Sequence, residues 1–171
     1  MANTKKTVFI CGFMGCGKST VGKLLASKLG CKFTDMDEYI VNKLDMSIPQ
    51  IFAEKGEDYF RKEETEAVRE LASSSGVIAC GGGAMLKKVN ADIANEAGIV
   101  VYIDIDFESC YERIAEDKNR PIVQNNTKEE LELIYDGRAG IYKENSSLTV
   151  DGSGSPEEIA ERILSFIKIM N

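Results

Sequence analysis

A chain of 171 residues, 43% hydrophobic and 29% charged, has room for one domain with a real core and not for two ordinary ones. A net charge of −7 disfavours nucleic acid as a partner, though a few local arginines suffice for a small anion. Apolar runs of about five residues are far short of a membrane span, and histidine is absent.

Five cysteines (Cys11, Cys16, Cys31, Cys80, Cys110) form no C-x-x-C pair, which argues against a disulfide framework and against zinc. They read as reduced, mostly buried small hydrophobes. Without histidine, catalysis must rest on carboxylates, lysine, arginine and metal. The N-terminal "MANTKKTVFICG" is too short in apolar residues for an export signal, so a cytoplasmic location is expected.

Taken in order, "TVFICG" predicts a buried strand running into a glycine loop. Val21, Leu24, Leu25 and Leu29 then recur at helical spacing, and Gly30 stops the helix. "KFTD" predicts a short second strand. From Glu38 to about Ser75 the pattern is helical and charged, interrupted near Pro49 and Gly56. "GVIACGGG" is a third strand ending in three glycines, and "GIVVYIDID" a fourth. A helix is expected from about Phe107 to Glu116, then a loop of about ten residues in "EDKNRPIVQNNT". Another helix follows from about Lys128 to Lys143, and "SLTVDG" is a fifth strand. The last helix has Ser155 as N-cap, Pro156 in first position and Glu158 completing a capping box. Its buried stripe is expected to be Ile159, Ile163, Phe166 and Ile167. Alternation of strand and helix implies a parallel sheet covered on both faces, with ligands beyond the carboxyl ends of its strands.

"GFMGCGKS", Gly12 to Ser19, matches G-x-x-x-x-G-K-[S/T] in full. Its glycines let successive N–H groups ring an anion, and the helix beginning at Lys18 adds its positive end. Lys18 reaches the outer phosphates and the Ser19 hydroxyl suits magnesium, so the loop is read as holding a nucleoside triphosphate. A decoy follows. "NKLD" (Asn42–Asp45) and "DGSG" (Asp151–Gly154) fit the two motifs of a switch GTPase, but in the wrong order, and "NKLD" lies in a helical stretch.

"TDMD" instead ends the second strand, and Asp35 and Asp37, two apart, share one face of an extended segment. One serves a magnesium shell while the other faces an acceptor. Arg61, Arg113, Arg120 and Arg138 stand in settings that suggest anion binding, and Gly81–Gly83 lets backbone touch a ligand closely.

Together "GFMGCGKSTVGKLLA", "DMD", "GEDYFRKEE", "CGGGA", "RPIV" and "RAGIYKE" resemble shikimate kinase in order and spacing, from about Thr7 to Met170. The resemblance implies a three-layer αβα fold with a five-stranded parallel sheet, a P-loop NTPase of the nucleoside monophosphate kinase type. One kinase domain would span residues 1–171, with an acceptor-binding segment at about 36–62 and a mobile lid at about 117–126. The activity implied is transfer of the γ-phosphate of ATP to the 3-hydroxyl of shikimate, with Mg2+, in aromatic amino acid synthesis.

Carried across, Gly12, Gly15, Cys16, Gly17, Lys18, Ser19 and Thr20 would hold the ATP phosphates, with Lys18 at the transferred group. Ser19 and Asp35 would surround magnesium. Asp37 would hold shikimate hydroxyls, Arg61 and Arg138 would clamp its carboxylate, and Gly81, Gly82 and Gly83 would close over the ring. Arg120 would neutralise phosphate charge from the lid, while Arg113 and the segment before Pro156 flank adenine. Lys18, Asp37 and Arg120 are the expected catalytic residues. The Arg61 charge should depress the Asp37 pKa, which favours orienting the hydroxyl over abstracting its proton.

Three departures stand out from the family pattern: Ile122 and Val123 where leucines are common, Cys16 for a small alanine or serine, and no arginine in "DGSGSP". The alternatives are a P-loop kinase of another small hydroxy acid such as gluconate, or a non-catalytic nucleotide-binding regulator. A monomer is expected, without nucleic acid or membrane partners.

Overall fold

The β-branched runs become five strands: β1 (Thr7–Cys11), β2 (Phe33–Asp35), β3 (Val77–Ala79), β4 (Gly98–Asp104) and β5 (Leu148–Asp151). A computed structural model describes residues 6–117 and 120–170. The start of the expected unexported N-terminus, and Lys118 and Asn119 of the expected lid, lie outside the described residues. The strands form one five-stranded parallel sheet, as expected, and the order is β2-β3-β1-β4-β5. β1 is central and buried along its whole length because it is covered on both faces. Ile10 lies beside Ala79 on one side and Val101 on the other, so β1 and β3 end within a residue of each other while β4 runs on to Asp104.

Nine helices connect and cover the strands among the described residues: α1 (Lys18–Leu29), α2 (Met36–Leu44), α3 (Ile48–Lys55), α4 (Glu57–Leu71), α5 (Lys88–Ala97), α6 (Phe107–Ile114), α7 (Pro121–Gln124), α8 (Lys128–Asn145) and α9 (Pro156–Met170). α1 packs on α9, while α4 and α5 pack on each other and α5 and α8 on β4. Chain ends of the helices follow local chemistry. Asp35, Ser47, Asp106, Thr127 and Ser155 each accept a hydrogen bond from the N–H three residues on. Gly30 closes α1 in the left-handed conformation, as the sequence suggested.

Several sequence expectations need correction. The expected lid loop contains the short helix α7, starting where Pro121 presets helical φ. α5 was passed over: its stripe of Ala91 and Ala94 is too small to signal a buried face. Pro49 does not interrupt a helix but sits in the first turn of α3, and the break is at Asp45, which adopts a left-handed conformation. Phe166 is 42% exposed because it falls at the edge of the α9 stripe, where Leu164 is buried in its place. The Glu158 carboxylate faces Arg162 at 3.6 Å, so the predicted capping box is present in its Ser155 half.

Candidate active site

The loop between β1 and α1 is built from backbone. Gly15 has φ +83°, and a Cβ there would sit 2.6 Å from the Cys110 carbonyl oxygen, so the turn demands glycine on two counts. Lys18 Nζ donates to the carbonyls of Gly12 (2.8 Å) and Phe13 (3.2 Å), which curls it back over the loop. The Cys16 side chain is buried beneath the loop. From α6, Arg113 donates to the Gly15 carbonyl at 2.8 Å, bringing its guanidinium to the loop's outer edge.

Ser19 opens the first turn of α1 and donates to Asp35 Oδ2 at 2.8 Å. The other Asp35 oxygen accepts from the Glu38 N–H at 3.1 Å as the cap of α2. Asp37 therefore belongs to the first turn of a helix. It does not share an extended face with Asp35, because the strand hands over to α2 at Asp35 itself. The two carboxylates nonetheless sense each other. Burial first, and Asp35 second, hold the Asp37 carboxyl above its ordinary range, against Lys18, Arg120 and Arg61. The depressed pKa expected from the Arg61 charge is thus reversed: desolvation outweighs the cations.

The glycine triplet after β3 gathers the residues expected to hold the acceptor. A Cβ on Gly81 would lie 2.7 Å from Asp37 Oδ1, one on Gly82 3.7 Å from Arg138 Nη1, and one on Gly83 would collide with the Arg61 guanidinium. Three residues predicted from separate parts of the chain thus converge on three consecutive glycines. Arg120 stands apart, on the expected lid, where Nε donates to Asp117 Oδ2 at 2.8 Å. Its charge still reaches Asp37.

Sequence reasoning missed Glu64. It is 1% exposed and accepts from Arg61 Nη1 at 2.6 Å, while its Oε2 would lie 3.0 Å from a Gly81 Cβ. Burial raises its pKa and Arg61 opposes that rise, so the pair is held together inside the pocket wall. A signal existed: Glu64 is three residues after Arg61, one helical turn. Arg162 was missed too. Its Nη1 donates to the carbonyls of Asp151 (2.8 Å) and Ser153 (2.6 Å), so the loop that lacks an arginine is held by one from α9.

The model of the family described as "Shikimate kinase" matches residues 14–168. The chain belongs to this family. It is 42% identical over 166 residues to the shikimate kinase of Geobacter sulfurreducens, covering 95% of this chain and 91% of that one. With the shikimate kinase of Bacillus subtilis the identity is 33% over 168 residues, covering 96% and 90%. In three dimensions it is similar to the shikimate kinase from Acinetobacter baumannii in complex with shikimate, with TM-score 0.91, 36% identity, and 97% and 94% of the two chains covered. A gluconokinase from Sinorhizobium meliloti, at TM-score 0.59 and 18% identity over 98% and 94% of the chains, shares the fold alone. Shikimate kinases are ATP-dependent phosphotransferases of the shikimate pathway, and the sheet order fits their nucleoside monophosphate kinase-like fold.

Proposed function

We propose that this chain transfers the γ-phosphate of ATP to the 3-hydroxyl of shikimate, giving shikimate 3-phosphate and ADP. The observation that carries the proposal is the glycine triplet Gly81–Gly83, which faces Asp37, Arg138 and Arg61 in turn. A pocket with two guanidinium groups and one carboxylate suits an anionic acid that also bears hydroxyls. Arg61 and Arg138 hold the acceptor carboxylate with planar, paired donors that a lysine cannot present. Asp37 accepts a hydrogen bond from the reacting hydroxyl. Its raised pKa makes it a better proton acceptor than an ordinary aspartate.

In the reaction the hydroxyl oxygen bonds to the γ-phosphorus, the bond to the ADP oxygen breaks, and the hydroxyl proton passes to Asp37. The transition state is loose, so placement and charge neutralisation carry most of the catalysis. Gly12 and the residues from Gly15 to Thr20 hold the phosphates, with Lys18 at the transferred group and Arg120 reaching it from the lid at 117–126. Arg113 and the loop before Pro156, braced by Arg162, flank adenine.

The Ser19–Asp35 pair is an all-oxygen donor set 2.8 Å apart, one hydroxyl and one carboxylate, which fits Mg2+. Among the described residues no three acidic, cysteine or histidine side chains gather as a metal cage. That suits an ion which takes most of its ligands from water and phosphate. When bound it neutralises charge on the β- and γ-phosphates; Ser19 and Asp35 hold it there.

We take the unit to be a single kinase domain over residues 1–171, with the acceptor-binding segment at 36–62. We take the protein to act as a monomer. Free cysteines suit the reducing cytoplasm. No helix among the described residues is long and apolar enough to cross a membrane.

Phosphorus and proton NMR of the product tests the regiochemistry. Coupling of the new phosphate to the proton on C3 is expected; coupling at another ring carbon would overturn the assignment of the hydroxyl.

A further inference from the structure

The loop that carries the glycine triplet is fastened by every one of its carbonyls from Gly81 to Met85. Gly81 and Gly83 accept from the N–H groups of Ala84 (3.2 Å) and Leu86 (3.3 Å) within the loop. Ala84 accepts from Asn90 Nδ2 on α5, and Met85 from Asn145 Nδ2 on α8, both at 2.9 Å. The remaining carbonyl, Gly82, accepts from the Tyr142 hydroxyl.

Tyr142 differs from the two asparagines in what else it touches. It lies one helical turn after Arg138 on α8, and the Gly82 it holds is the glycine that faces Arg138, whose Nη1 would lie 3.7 Å from a Cβ there. A phenol has one proton to give. Tyr142 donates it to the Gly82 carbonyl, joining the helix that carries Arg138 to the loop. The ring beneath cannot swing. It is 1% exposed and stacks on Tyr102 of β4, with centroids 5.4 Å apart and planes 28° apart.

We propose that Tyr142 is a positioning residue for the acceptor site: its hydroxyl fastens the Gly81–Gly83 loop to α8, the helix that carries Arg138, and so sets affinity for the acceptor carboxylate without touching it. The inference rests on the reading of Arg138 as a carboxylate ligand. Arg61 is oriented by its ion pair with Glu64, whereas the loop that faces Arg138 is fastened to that arginine's own helix by a neutral phenol. A neutral fastener leaves the Arg138 charge for the substrate. A carboxylate in the same place would compete with it.

The test is Tyr142→Phe, which keeps the ring and its stacking and removes only the hydroxyl. Calorimetric titration of shikimate, and separately of ATP, should show shikimate affinity about tenfold weaker, roughly 1.4 kcal/mol, with ATP affinity unchanged. Arg138→Lys and the double variant complete the cycle. If Tyr142 acts through Arg138, the double variant binds shikimate no more weakly than Arg138→Lys alone. Shikimate affinity within twofold of wild type in Tyr142→Phe, or equal losses for ATP and shikimate, would overturn the positioning role. Additive losses in the double variant would do so as well. If Arg138→Lys itself left shikimate affinity unchanged, the carboxylate reading would fail first and this inference with it. Loss in Arg138→Lys but not in Tyr142→Phe sinks only the role of the tyrosine.

Discussion

The phosphate loop and the acceptor pocket meet where Asp35 and Asp37 stand two residues apart, yet they are built on different principles. The phosphate loop is local: eight consecutive residues include backbone N–H groups, one lysine and one hydroxyl, and Lys18 bonds to atoms of its own loop. The acceptor pocket is assembled from α2, α4, the loop after β3 and α8, and it buries charge to do so. Glu64 and Asp37 both lie beneath Gly81 with their pKa values raised by burial. A phosphate cradle gains little from such strain, since the ligand brings the charge. An acceptor site must aim a neutral hydroxyl, and a desolvated carboxylate held in place before the ligand arrives does this.

The comparison breaks most visibly at Asp37. Asp37→Asn should lower kcat by about 10³ if the carboxylate works as other general bases do. The same change should raise the Tm of the ligand-free protein at pH 7, because it removes a buried negative charge. A raised folded-state pKa means that the ionised form weakens the fold. The gain should therefore be full above the folded pKa, fade as pH falls through it, and be gone below the ordinary carboxylate range. A kcat near wild type would remove Asp37 from the chemistry, and a lower Tm at pH 7 would contradict its burial as a charge.

On the nucleotide side, Arg120→Ala should lower kcat by about 10², roughly 3 kcal/mol, with the KM for shikimate unchanged. An unaltered kcat would make Arg120 a surface charge paired with Asp117. Back in the acceptor pocket, Arg61→Lys keeps the charge beside Glu64 but loses the planar fork. The KM for shikimate should rise about tenfold while that for ATP stays put; equal changes in both would mean a general loosening of α4.

The contrast sharpens in hydrogen exchange. Backbone amides of residues 120–126 should gain protection when ATP and shikimate are both present, as the lid closes against water. Those of Ala84 and Leu86, in the loop after β3, should change little, since each already donates to a carbonyl of that loop. Equal exchange in the lid with and without ligands would end the closure reading. The smallest effect concerns the thiols. Burial pushes Cys11 and Cys110 up to about 12, so at pH 8 neither should be alkylated in the native protein. Rapid labelling of either would show that the core beneath the phosphate loop opens.

How much could be read from the sequence follows the same division. The strands and the phosphate loop were legible because each depends on neighbouring residues: a β-branched run, a glycine spacing, a lysine at a helix start. The acceptor arginines were found through the family's motifs, and the fold then brought them to one loop. Three things were hidden. The Asp37 pKa turns on burial, which no local pattern carries, so the nearby arginine seemed decisive. Glu64 stands one turn after Arg61 and Tyr142 one turn after Arg138, spacings found on any helix; the burial of Glu64 and the reach of Tyr142 to the Gly82 carbonyl come only with the fold. α5 has a stripe of alanines that pack well but signal weakly.

The measurement that reaches the central claim most directly is ADP release with ATP and magnesium, run in parallel with shikimate, with gluconate and with no acceptor. A pocket of two arginines and a buried aspartate around three glycines predicts fast turnover with shikimate and only background in the other two. Turnover with gluconate but not shikimate, or none with shikimate in folded protein that still binds ATP, would leave the phosphate loop standing and contradict the acceptor site.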